Sequence, residues 1–155
     1  VYPTQALEAF LEGHIDAFEE LGGVPTLQIK YDNLSPAVTQ VLAGRARVET
    51  TRWALFRSHY GFDAFYCEPG INGAHEKGGI EGEVGRFRRT WLSPMPIVDS
   101  LAELNERIRD WDQRDENRRI GQKIRTVAHD YAAEREHLAE LPRDRFDPGL
   151  ELYPR

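Results

Sequence analysis

The amino-acid sequence predicts a mixed α/β fold whose sheet is incomplete. Helical and strand patterns alternate twice, in the order helix, strand, helix, strand, and further helices follow. Only two segments are predicted as strands, one from its alternation of apolar and polar residues and one from its short aromatic-rich run bounded by glycine and proline, whereas sheets usually contain about four to six strands. The length of 155 residues and the hydrophobic fraction of 40% suit one domain with a real core.

The first half of the sequence contains the two helix–strand pairs. An apolar stripe indicates an amphipathic first helix, which Gly22 and Gly23 end. The first strand stops at Asp32, a residue type that favours turns, and Gly61 ends the second helix. The predicted elements are a helix over 4–21, a strand over 26–31, a helix over 45–59 with Val48, Leu55 and Phe56 in the core, and a strand over 62–67.

The second half is predicted to be helical. Ser100 and Glu103 form a capping box at the start of one helix. Four glycines inside the preceding helix each cost up to about 1 kcal/mol relative to alanine, so we expect its backbone to approach another group closely. The predicted segments are helices over 74–91, from 101 and over 122–141, an exposed polar stretch over 112–119, and a linker over 143–155.

Composition excludes several classes of protein. A net charge of −6 argues against binding of nucleic acid by bulk electrostatics. The single cysteine, Cys67, excludes a disulfide framework and a cysteine-based zinc site. No apolar run approaches the roughly 18 residues that a membrane-spanning helix needs, so no membrane association is expected.

Two familiar motifs begin in the sequence but are not completed. His75 and Glu76 open like a zinc-protease helix, but Gly79 stands where the second histidine is required. The glycine-rich run that follows lacks the Gly-Lys-Ser/Thr of a phosphate-binding loop. Neither zinc-protease nor nucleotide-binding chemistry is therefore predicted.

Two carboxylates are notable for their positions. Asp32 closes a strand, where its side chain can project over the sheet edge, and Glu81 lies beside the apolar stripe of the glycine-rich helix. Carboxylates brought together in this way are ligands that Mg²⁺ accepts, and phosphoryl-transfer enzymes use such pairs to hold two metal ions. The residues alone leave a second interpretation open, in which Asp32 is a turn residue and Glu81 a solvated helix acid.

Basic residues surround Glu81. An acid among glycines and arginines suits close contact with a polyanion such as DNA. The 26 acidic residues of the chain leave the rest of the surface unattractive to DNA, so the contact would be local. The candidate DNA-binding residues are Lys77, Arg86, Arg88 and Arg89.

At these residues the sequence resembles the catalytic core of DDE transposases and retroviral-type integrases, and most closely the IstA-type transposases of insertion sequences. The likeness covers roughly residues 4–150. Its most specific part is Tyr-Asp-Asn followed later by Lys-Gly-Gly-Ile-Glu. It is carried by Gly22-Gly23-Val24-Pro25, Tyr31-Asp32-Asn33-Leu34, His59-Tyr60-Gly61-Phe62, Cys67-Glu68-Pro69-Gly70, the run from Gly73 to Glu81, and Leu104-Asn105 with Trp111.

The resemblance implies an RNase H-like fold with a three-carboxylate site that holds two Mg²⁺ or Mn²⁺ ions. Asp32 would match the second aspartate of the family and Glu81 its glutamate, with Asn33 shaping the loop beside the metal. The implied activity is metal-dependent DNA strand transfer by a cytoplasmic bacterial protein. The implied partners are transposon-end and target DNA, further copies of the intact transposase, and an ATP-hydrolysing helper protein.

The sequence departs from the family at the first aspartate, which would lie on a β-hairpin before the first helix. No residue matches it, and Asp16 on the polar face of that helix is no substitute. We therefore expect an internal fragment or a decayed copy that is catalytically silent alone. The expected organisation is a partial core over 1–112, a helical extension over 113–141, and a linker over 142–155 toward a further domain.

Two other interpretations stay open. The chain could be a non-catalytic relic that binds only DNA or a transposase subunit, or a generic α/β domain with no role in nucleic-acid chemistry. In every case, a sheet without its covering hairpin exposes unpaired strand groups and apolar surface. We therefore expect a marginally stable or self-associating protein.

Overall fold

The computed structural model describes residues 1–31, 36–42, 46–67 and 82–149. Asp32, Asn33, Lys77 and Glu81 lie outside these residues. The chain forms two compact units. The first unit comprises Tyr2–Gly70 with His137–Arg155, and the second comprises Ile71–Glu136 with Val1. The mixed α/β class predicted from the sequence is confirmed.

The first unit contains all the described strands. Strands β1 and β4 are parallel, with Gln28 opposite Asp63 and Tyr31 opposite Tyr66. Strands β2 and β3 form a separate antiparallel pair. The elements are α1 (Leu7–Leu21), β1 (Gln28–Tyr31), β2 (Val38–Val41), β3 (Arg47–Glu49), α2 (Thr51–Tyr60) and β4 (Asp63–Tyr66).

The core of the first unit lies between its two helices and the β1/β4 sheet. Helix α1 buries Leu11, Ile15 and Phe18, three residues of the stripe that the sequence predicts. Burial of one such side chain stabilises the fold by about 1.5–3 kcal/mol. Helix α2 contributes a second apolar face, and the sheet and its flanking loops close the core. The remaining buried members are Val24, Tyr31, Ala37, Trp53, Phe56, Tyr60, Phe62 and Tyr66.

The second predicted helix is corrected at its start. Residues 47–49 are strand β3, and helix α2 begins only after Thr50, whose hydroxyl accepts a hydrogen bond from the backbone N–H of Trp53 at 3.2 Å. Two of the three predicted core contacts are therefore wrong, since Val48 and Leu55 are exposed and only Phe56 is buried. A threonine cap fixes where the helix starts, and this start sets which side chains face inward.

Both glycines after α1 have a structural reason. Gly22 adopts the left-handed conformation, with a φ of 67°, and ends the helix as predicted. Gly23 allows the segment of Leu138 and Ala139 to pack closely against its backbone. A Cβ at position 23 would lie 2.7 Å from the Cβ of Leu138 and 2.8 Å from the carbonyl oxygen of Ala139. Ala139 forms an isolated antiparallel bridge with Val24, which ties the segment after α5 to the segment after α1.

Residues 143–149 have no helix or strand, yet they pack on the first unit, and we call them the C-terminal strap. Arg145 forms ion pairs with Glu12 at 2.9 Å and with Glu19 at 3.1 Å on α1. The Phe146 ring packs edge-on against Phe56, with 5.2 Å between the ring centroids. The strap therefore covers one side of the helical layer, which its aperiodic sequence did not indicate.

The second unit is helical in its described residues. It comprises α3 (82–91), α4 (Leu101–Asp115) and α5 (Val127–Arg135). The rings of Trp91 and Trp111 stack between α3 and α4 at 5.6 Å, and Phe87 lies 6.3 Å from Trp111. These contacts confirm that Phe87 and Trp91 share the inward stripe of α3, whereas Val84 is 45% exposed.

Helix α4 begins as predicted and α5 does not. The hydroxyl of Ser100 accepts from the backbone N–H of Glu103 at 3.1 Å, and the Glu103 carboxylate accepts from that of Asp99 at 2.8 Å. The helix predicted over 122–141 is limited to Val127–Arg135, because Thr126 caps its start, where it accepts from the N–H of His129. The residues after it leave the helix and join the first unit.

Candidate functional site

Strand β1 ends at Tyr31, one residue before Asp32 in the sequence, and its parallel neighbour β4 ends opposite it at Tyr66. The carbonyl oxygen of Tyr31 accepts a hydrogen bond from the backbone N–H of Cys67 at 2.9 Å, so the two parallel strands remain paired at this end. Ligands of open parallel sheets bind outside the carboxyl ends of the strands. Asp32 follows Tyr31 directly in the sequence, but it lies outside the described residues, as do Asn33 and Glu81.

His14 supports this end of β1 from helix α1. Its Nδ1 lies 2.8 Å from the carbonyl oxygen of Phe10 and must donate to it, and its Nε2 lies 2.9 Å from the hydroxyl of Tyr31. In the neutral imidazole, Nε2 accepts from that hydroxyl. Burial lowers the pKa of His14 and raises that of Tyr31, which keeps both groups uncharged.

A second polar chain supports the end of β4. The indole N–H of Trp53 donates to the hydroxyl of Tyr66 at 2.9 Å, and Tyr66 donates to the Glu49 carboxylate at 2.5 Å. Arg57 lies 3.2 Å from the other oxygen of Glu49, so the carboxylate is compensated. Burial and the bond to Glu49 raise the pKa of Tyr66 to about 12, so it remains a donor at neutral pH.

Neither supporting group is predicted from the sequence. His14 falls on the apolar stripe of α1, four residues after Phe10 and four before Phe18, and this spacing was the available signal. Glu49 had no such signal, because its partners Tyr66 and Arg57 come from β4 and α2.

Helix α3 carries the described part of the predicted DNA-binding residues. Arg86 is engaged within the protein: its Nε binds Glu83 at 2.9 Å, and its terminal nitrogen pairs with Asp115 of α4. Arg118 binds the same Glu83 oxygen at 2.8 Å. The hydrogen bond from Arg86, helped by the charge of Arg118, lowers the pKa of Glu83.

Arg88 and Arg89 are exposed, and neither forms an ion pair with another described residue. The glycines beside them are not explained by internal packing. A Cβ at Gly82 would meet open space, and one at Gly85 would meet only the flexible end of Arg89. At Gly82 and Gly85, no described group packs closely enough against the backbone to require a glycine. Gly78 and Gly79 lie outside the described residues.

Within the described ranges, no group of three or more His, Cys, Asp or Glu side chains could hold a metal ion. Each helix of those ranges also falls short of the length and apolar character that a membrane crossing requires. Asp32 and Glu81, the carboxylates expected to hold metal, both lie outside the described residues.

Comparison with known proteins relates the chain to transposases of insertion sequences. It is 38% identical over 104 residues to proteins named as transposases for insertion sequences IS1326/IS1353 from Pseudomonas aeruginosa and Shigella flexneri. It is 34% identical over 105 residues to a transposase of Aminobacter aminovorans. The aligned stretches cover 67–68% of this chain but only 20% of each relative. No protein-family model matches the chain.

Proposed function

We propose that this chain is part of the catalytic core of a DDE-type transposase, most similar to the IstA type, with an RNase H-like fold. The observation that carries the proposal is the identity of 34–38% to three homologues named as transposases. The motif Tyr31-Asp32-Asn33 supports it, because the described strand before Asp32 ends beside a parallel neighbour. This is the sheet edge at which α/β proteins place their ligands.

The catalytic residues of the proposal are Asp32 and Glu81, with Asn33 shaping the loop. Paired carboxylates are the donor set that Mg²⁺ and Mn²⁺ prefer. When bound, two such ions would activate a hydroxyl for in-line attack on a phosphodiester and stabilise the leaving oxygen. The protein itself contributes position and charge. His14 and Glu49 fix the ends of the two strands, and Arg88 and Arg89 offer cations to the DNA backbone.

The intact transposase would act on transposon ends and target DNA as a homo-oligomer with an ATP-hydrolysing helper protein. Asp32 and Glu81 would supply two of the three carboxylates that the resemblance implies, and a site with only these two would bind at least one metal ion more weakly. We therefore expect no DNA nicking by the chain alone. Metal-dependent nicking that Asp32→Asn abolishes would contradict this expectation.

The proposal is tested in a full-length relative. The stretch of the Pseudomonas aeruginosa transposase that aligns with this chain is replaced by the residues of this chain, and transposition is counted in cells. We expect the chimera to transpose, and Asp32→Asn or Glu81→Gln to abolish transposition.

Asp16→Asn is the matched control, since Asp16 is an exposed acid on α1 and should leave transposition unchanged. Transposition that survives Asp32→Asn and Glu81→Gln would overturn the catalytic assignment. The loss of transposition in Asp32→Asn at an unchanged protein level separates lost chemistry from lost folding.

A further inference from the structure

The second unit contains a basic loop that the predicted DNA-binding residues do not include. We define the basic loop as residues 118–125, between α4 and α5. Two backbone hydrogen bonds close it at its base: Val127 donates to Arg118 at 2.9 Å, and Ala128 donates to Glu116 at 2.9 Å. Gly121, with a φ of 59°, allows the tight turn at its centre. The loop is therefore a defined surface feature.

The charge of the basic loop is of one sign. No acid occurs between Glu116 and Asp130 in a chain whose net charge is −6. Such a local concentration of cations on an acidic protein attracts polyanions at short range, where the rest of the surface repels them. The cations of the loop are Arg118, Arg119, Lys123 and Arg125.

Internal acids compensate only part of this charge. Arg118 turns inward to Glu83 and Asp115, where Arg86 is also bound, so two acids and two arginines balance at the base of the loop. Lys123 lies 3.1 Å from Asp130 but is 59% exposed. Arg125 is exposed and forms no ion pair with a described residue.

Arg119 and Ile124 give the loop a defined outer face. The Nε of Arg119 donates to the carbonyl oxygen of Ile124 at 2.9 Å, which fixes the guanidinium across the loop and leaves its terminal nitrogens for other acceptors. The Ile124 side chain is 90% exposed between Lys123 and Arg125. Apolar side chains flanked by cations contact sugars and base steps in DNA grooves.

We propose that the basic loop is a second DNA contact, in which Arg119 and Arg125 bind backbone phosphates and Ile124 makes an apolar contact in the adjacent groove. This inference rests on the proposed function, which supplies DNA as the polyanion. It extends the DNA-binding surface beyond α3 to a loop whose residues the sequence predicts partly as an exposed polar stretch and partly as the start of the last helix.

The test measures binding of the 155-residue chain to a short fluorescent DNA duplex by anisotropy over a series of salt concentrations. Each lost phosphate contact should reduce the slope of log affinity against log salt by about 0.9. We expect Arg119→Gln with Arg125→Gln to reduce the slope by about 1.8. Ile124→Ala should lower the affinity and leave the slope unchanged.

The matched control is Arg109→Gln with Arg135→Gln, which removes the same charge from exposed positions of the same unit outside the loop. Circular dichroism of each variant verifies that it is folded, and Arg125→Gln alone serves if the double variant unfolds. If the loop variants and the control variants reduce the salt-dependent binding equally, the proposal that the basic loop contacts DNA is refuted. The proposed function is not affected by that result. Absence of DNA binding by the unaltered chain would contradict both the loop contact and the proposed function. Binding of the unaltered chain to an acidic polypeptide but not to DNA would refute DNA as the ligand of the loop.

Discussion

At the scale of single residues, His14 illustrates how a polar group is accommodated in an aromatic core. Its ring lies 4.4 Å from that of Phe10 and 5.4 Å from that of Trp53, measured between centroids. Both ring nitrogens are satisfied by hydrogen bonds, so the neutral form is stable there. A proton on Nε2 would reverse the hydrogen bond with Tyr31, whose oxygen would then accept, and would place a charge among aromatic rings.

We predict that His14 makes the first unit less stable in acid. Because burial lowers the pKa of His14 from its ordinary value of 6.5, the unfolded chain binds this proton at a higher pH than the folded chain. The stability is complete above about pH 6.5 and falls by up to about 1.4 kcal/mol per pH unit below it, until the folded pKa is reached. Urea unfolding at several pH values measures this slope.

His14→Gln should lose most of this slope below pH 6.5, and the exposed His129→Gln should retain it. Trp53 is the only tryptophan of the first unit. Its fluorescence, in a background with Trp91→Phe and Trp111→Phe, reports on that unit alone. An unchanged pH slope in His14→Gln would show that another group causes the acid sensitivity.

At the scale of elements, the C-terminal strap shows that order does not require a helix or a strand. Phe146 lies on Phe56 and His59, and the guanidinium of Arg52 lies 5.8 Å from the centre of the Phe146 ring. Backbone carbonyls of the strap also accept hydrogen bonds, from His59 to Asp144 and from Arg52 to Asp147, each at 2.8 Å. The C-terminal strap is held in place by the packing of the Phe146 ring and by these two hydrogen bonds.

We predict that Phe146→Ala destabilises the first unit by about 1–3 kcal/mol, less than the loss of a fully buried phenylalanine because the ring is half-buried. Arg145→Ala should cost less than about 1 kcal/mol, since its ion pairs are exposed and screened. Urea unfolding followed through Trp53 compares the two variants. Equal small losses would show that the strap is bound without contributing to stability.

At the scale of the whole molecule, the first unit has an open apolar groove of about 580 Å³. It lies along α1 and is lined mainly by apolar side chains, among them Phe10, Phe18, Leu21, Pro25 and Ile29. Among the described strands, β1 pairs only with β4, so its other edge has no described partner. An unpaired strand beside apolar surface favours association with another chain.

We predict that the isolated chain self-associates through this groove. Sedimentation equilibrium should give a mass that rises above the monomer value of 17.8 kDa as the protein concentration increases. Ala17→Lys places a charge in the groove and should shift the protein toward the monomer. Ala132→Lys, on an exposed face of α5, is the matched control and should not. A strictly monomeric unaltered chain would refute the prediction.

The sequence by itself determined the local features whose signals lie within a few residues. Apolar spacing placed α1, glycine at position 22 ended it, and the Ser100 cap started α4, because each effect acts within one or two helical turns. Short motifs also related the chain to transposases, which the homologues support. The same motifs name Asp32 and Glu81, whose roles stay predictions.

Only the tertiary structure decided which distant residues meet. The β2/β3 hairpin, the bridge between Val24 and Ala139, and the strap all join segments whose own sequences carry no strong period. The same holds for the hydrogen bond between Tyr66 and Glu49, and for Arg86, a predicted DNA contact that pairs with Glu83 and Asp115. Contacts of this kind depend on the packing free energy of the whole chain, which local patterns do not contain.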